Sequence, residues 1–102
     1  MSSQGNGHFL RYDVRMSQQN KARLQQLHLE AAQAGKGKPF VEAFRTIVER
    51  LQTDPLNFGE PLYRLPALRL LVRQAVVLPL VVDFTVHEDR PLVFVRGFKV
   101  LS

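Results

Sequence analysis

The chain has no cysteine. Disulfide frameworks, thiolate nucleophiles and cysteine-held zinc or iron–sulfur centres are therefore excluded, an absence that fits a reducing compartment. It also lacks a long apolar run: the most hydrophobic stretch, Ala75 to Val82, is interrupted by Pro79 and bounded by Arg73, Gln74 and Asp83. A membrane helix needs about twenty such residues. The expectation is a soluble protein with no membrane partner, cytoplasmic by default. Met1 to Gly7 is polar and glycine-bearing, without the apolar core of a secretory signal. Residues 1–8 read as a flexible tail and 9–102 as a single domain. No internal repeat or low-complexity segment is evident. His8, His28 and His87 have no metal-ligand spacing, so neither metal nor cofactor is expected.

What is present is a core and an excess of positive charge. Among 102 residues, 45% are hydrophobic and 23% charged, enough apolar material for one domain to fold alone. Fourteen Lys and Arg stand against nine Asp and Glu, a net charge of +5, and ten of those cations are arginine. Residues 1–38 and 64–102 carry the excess, whereas 39–63 is acidic on balance. Guanidinium offers paired donors to phosphate or carboxylate, so the balance points to nucleic acid or an acidic protein. Its bland alternative is a solvated surface.

The pattern of apolar residues changes twice along the chain. From Phe9 to Met16 alternation puts Leu10, Tyr12, Val14 and Met16 on one face, predicting a strand. Ser17 offers a cap oxygen to a helix over Gln18 to Ala34, closed by Gly35. A second helix begins near Pro39 and carries Phe40, Val41, Phe44, Ile47, Val48 and Leu51 at helical spacing, ending near Thr53. Asp54-Pro55 stops it, and Pro55, Pro61 and Pro66 predict an ordered loop over residues 55–66. Three antiparallel strands then read as Leu68–Arg73, Val76–Val86 and Leu92–Leu101, with a turn over His87 to Pro91. Pro79, which cannot donate to a ladder, is expected to mark an edge, a bulge or a break. The fold class is α+β, with a two-helix hairpin on one face of a four-stranded sheet and the other face left for function.

This order, with "FRTIVERLQTDPLNFGEPLYRL" (44–65), "LRLLVR" (68–73) and "FTVHEDRPLVFV" (84–95), resembles the RelE/ParE superfamily of type II toxin–antitoxin toxins over residues 9–101. The resemblance implies a small basic toxin restrained by an acidic antitoxin. RelE-like members are mRNA interferases, endoribonucleases that cut mRNA on the ribosome without a metal. ParE-like members poison DNA gyrase and lack nuclease residues. Fold does not choose between them, and a degenerate member that only binds an antitoxin is a further alternative. An unrelated small interaction domain is the blandest.

For cleavage, Arg69 and Arg73 fall four apart on a predicted strand, so period-two geometry puts both on one face, placed to clamp a phosphate. The resemblance makes Arg73, which matches a functional arginine of the family's basic strand, the first candidate for transition-state stabilisation. Two solvated arginines are the alternative. Glu60, in Gly-Glu-Pro-Leu, is similar to the loop glutamate base of YoeB-type members; otherwise it is an exposed loop acid. Tyr63 and Arg64 follow where RelE-type members are rich in cations, and Tyr63 suits stacking on a base or simple packing. Arg96 and Lys99 lie on the last strand, but on a regular strand they have opposite parity and cannot both face one site. Active members finish that strand with a basic residue followed by His or Tyr. Here it reads Val95-Arg96-Gly97-Phe98-Lys99-Val100-Leu101-Ser102, and no general acid is evident. His87 is expected in a turn away from the site.

Overall fold

The computed structural model describes residues 9–101, so the expected tail at 1–8, with His8, lies outside the described residues. The alternating N-terminal stretch forms β1, Asp13–Met16, whose inward residues Val14 and Met16 pack against the core. Ser17 ends the strand and caps α1, Gln18–Gln33; its hydroxyl oxygen accepts the backbone N–H of Asn20 at 3.0 Å. That contact satisfies one of the orphan donors at a helix start. Gly35, at φ +76°, then turns the chain into α2, Gly37–Thr53. The apolar stripe of α2 is the stronger one, with Phe40, Ala43, Ile47 and Leu51 buried, whereas α1 buries Leu27.

Beyond α2 a 3₁₀ turn at Pro55–Asn57 leads to β2, Glu60–Leu65. The stretch expected to be only loop thus supplies a strand. It lies at the sheet's edge, where a residue without an N–H, Pro61, is tolerated. A second 3₁₀ turn, Pro66–Leu68, reverses direction into β3 (Leu70–Val77), β4 (Leu80–His87) and β5 (Leu92–Val100), an antiparallel meander. The first strand boundary falls later than predicted: Leu78 and Pro79 make the turn, where Pro79 has no ladder bond to supply.

Among the described residues the sheet has five strands in the order β1-β5-β4-β3-β2, with β1 parallel to β5. This corrects the four-stranded expectation to a mixed five-stranded sheet. The two helices run out and back, so β1 finds a partner that starts at its own end: Asp13 N–H donates to Pro91 O at 2.8 Å. The hairpin covers one face as expected, where Leu27, Phe40, Ile47 and Leu51 pack with Leu80, Val82, Phe84, Val86, Val93 and Val95. Fully burying each apolar side chain of this size contributes about 1.5–3 kcal/mol.

Candidate nucleic-acid interface

Among the described residues, the sheet's second face carries no helix. Register places Tyr63 opposite Val72, Val72 opposite Thr85, and Thr85 opposite Phe94, a row crossing four strands. Val72 and Thr85 are buried there, while Tyr63 and Phe94 stay partly exposed. Tyr63 on β2 and Arg96 on β5 meet across this row: the Arg96 guanidinium donates to the Tyr63 hydroxyl at 3.1 Å. Two candidates 33 residues apart are thereby joined.

The geometry of β5 overturns the parity objection to Arg96 and Lys99. Asp83 pairs with Gly97 but its neighbour Phe84 pairs with Val95, so Arg96 is inserted as a β-bulge. A bulge puts two residues opposite one and resets the alternation. Phe98 turns into the core with Val82, and Lys99, opposite Val81, shares the open face with Phe94 and Arg96. Asn20 holds the bulge from α1: its side-chain amide donates to Arg96 O at 3.0 Å and Val95 O at 3.3 Å. β1 ends opposite Val95, and the Asn20 carboxamide takes over where its ladder stops. Asn20→Ala is expected to cost about 1 kcal/mol of stability and to loosen the Arg96 backbone. Amide hydrogen exchange over residues 95–98 checks this, and unchanged protection there contradicts it.

Glu60 lies on the same face, opposite Gln74, whose amide donates to Asp83 at 2.7 Å. The other three candidates are elsewhere. Arg69 is not on a strand: it ends the second 3₁₀ turn in the left-handed region, at φ +56°, and pairs with Asp89. Arg73 stands opposite Phe84, on the helix-covered side, and donates to Phe58 O at 3.0 Å and Gly59 O at 3.1 Å. The two arginines expected to clamp one phosphate are therefore held apart by separate partners. Arg64 forms a two-point pair with Glu88, one arm at 2.9 Å.

These partners leave electrostatic signatures. Burial lowers the Arg73 pKa from its ordinary value, against the pull of Asp54. The Arg64 hydrogen bond lowers that of Glu88, and the Arg69 hydrogen bond that of Asp89, so both acids stay ionised. Arg15 is paired with Asp13 at 2.9 Å and Arg50 with Asp54 at 3.8 Å. Arg96 and Lys99, by contrast, enter no ion pair among the described residues.

Compared with protein-family models, curated proteins and solved structures, the chain matches none. The helix-free face, with Tyr63, Arg96 and Lys99, is the candidate site. His87 faces it from the far end of β4, and its Nδ1 accepts the Asp89 backbone N–H at 3.0 Å. His28 stacks on Phe40, ring centroids 5.2 Å apart, a packing role. The bulge and Asn20 escaped the sequence reading, although Gly97 within a strand pattern is the kind of signal that marks a bulge.

Proposed function

We propose that the helix-free face binds RNA and that the chain acts as a toxin of the RelE kind, a ribosome-dependent mRNA interferase restrained by an acidic antitoxin. The observation that carries this reading is that Arg96, which touches the Tyr63 hydroxyl, and Lys99 share one face and have no carboxylate partner among the described residues. Unpaired cations gain affinity by displacing phosphate counterions, and an exposed ring stacks on an unpaired base. Arg96 and Lys99 hold the scissile phosphate, Tyr63 orients a base, and Glu60 at the β2 edge takes the 2′-hydroxyl proton as the 2′-oxygen bonds to phosphorus; the P–O5′ bond breaks and the departing 5′-oxygen takes its proton from water. Element order also supports the toxin class: a strand, a helical hairpin and an antiparallel meander.

Arg96→Ala is expected to lower cutting about 100-fold, the scale of losing one charge-stabilising donor. Growth arrest on induction and 5′-end mapping of cellular mRNA read the effect, with Arg23→Ala on α1 as control. Full toxicity and unchanged cuts in Arg96→Ala sink the assignment.

A second reading is favoured by the engagement of Arg69 with Asp89 and of Arg73 with the loop carbonyls. With those groups occupied, the face serves as a binder without chemistry, for DNA gyrase or for an antitoxin alone. Growth arrest with DNA-damage signalling and no mRNA cuts selects it.

A further inference from the structure

At the end of the molecule where α1 meets α2, an apolar hollow of about 240 Å³ opens between Leu27, Ala31, Ala34, Phe40, Pro79 and Val100. Next to Pro79 in the β3–β4 turn, Leu78 stands 71% exposed, and Val100 and Leu101 of the hollow's lining add exposed apolar surface. Exposed apolar side chains gathered at the mouth of an apolar hollow mark an interaction site on a small domain. Its border carries one acid and one base, Glu30 and Lys36, and neither enters an ion pair among the described residues.

We infer that this end is a two-fold interface between two copies of the chain. A two-fold axis requires a self-complementary patch, in which residue i of one copy meets residue j of the other and the reverse holds. Both halves of such a match are adjacent here: a protruding leucine and an apolar hollow roomy enough for one. Leu78 of each copy enters the other's hollow, and Glu30 of each meets Lys36 of its partner. A border holding both signs suits a second copy better than an acidic partner, which would meet Glu30 with like charge. The interface lies at the Pro79 end of the sheet and rests on no part of the toxin reading.

Sedimentation equilibrium of the full chain tests it. The expected result is a reversible monomer–dimer equilibrium in the micromolar range. Leu78→Lys, at a site too exposed to disturb folding, weakens it by roughly 100-fold or more, since two buried leucines are lost per dimer. Glu30→Lys and Lys36→Glu each weaken it, and the double charge swap restores it. A wild-type chain that sediments as a monomer, a Leu78→Lys chain that stays dimeric, or a double swap that fails to recover overturns the proposal. So does growth into open-ended assemblies, which a closed two-fold contact forbids.

Discussion

Gly59→Ala is expected to destabilise the protein by about 4 kcal/mol or more, in the exceptional range for one substitution. Gly59 adopts φ +72°, and a Cβ built there lies 2.2 Å from Gln74 O, 2.7 Å from Ala75 Cβ and 2.8 Å from Ala75 Cα. None of these atoms is the flexible end of a side chain. Ala75 is buried and paired with Val82 inside the sheet, and Phe58 and Gly59 offer their carbonyls to Arg73. Relief of the clash therefore has to move β3 or withdraw the loop, with loss of those bonds. Gly35→Ala isolates the backbone part, and its difference from Gly59→Ala gives the steric part. Gly35 has nearly the same φ, +76°, but nothing among the described residues within 4 Å of its Cβ position, so only the left-handed penalty of about 1–2 kcal/mol applies. At about 4–8 °C per kcal/mol for a domain of this size, calorimetry should separate the two by roughly 8 °C or more. Equal melting temperatures contradict the account.

Phe84→Ala comes next, at about 3–5 kcal/mol, the usual cost of emptying a buried phenylalanine site. Phe84 is fully buried on β4, whose neighbours are β3 and β5, so two strands confine the cavity. Its ring stacks on Phe58 at 5.8 Å, and the Arg50 guanidinium lies over the other aromatic at 4.9 Å. Deleting the ring thus also loosens the loop that Arg50 and Arg73 tie down. Chemical denaturation of Phe84→Ala against Phe84→Leu measures the difference. A loss below about 1 kcal/mol for the alanine variant would mean that the site collapses without cost.

The helices were legible because their signals are local. Ser17, Gly35 and the spacing of Phe40, Ile47 and Leu51 sit within a few residues of what they determine. The fifth strand was hidden by Pro61 and Pro66, since local chemistry reads loop where an edge position tolerates a strand. Arg69 was misplaced because the Pro66–Leu68 turn consumes the residues that a strand from Leu68 would need, and its left-handed backbone has no local mark. Strict alternation on β5 failed for the opposite reason: one inserted residue resets it, and the amide that holds the insertion comes from Asn20 on α1. The meeting of Tyr63 with Arg96 depends on sheet order, which no short window of sequence contains.

The pairing of β1 with β5 also governs the order in which the protein assembles. Residues 13–16 find their strand partner at residues 92–95, across almost the whole chain. Closing so long a loop delays folding relative to local hairpins. A nascent chain can form α1, α2 and the β3–β4 hairpin, but it lacks the strand that joins β1 to that hairpin until residues 92–100 emerge. Arg96 and Lys99 lie on that strand, so their part of the face arises only once residues 92–100 have been made, and a product interrupted before them lacks both cations.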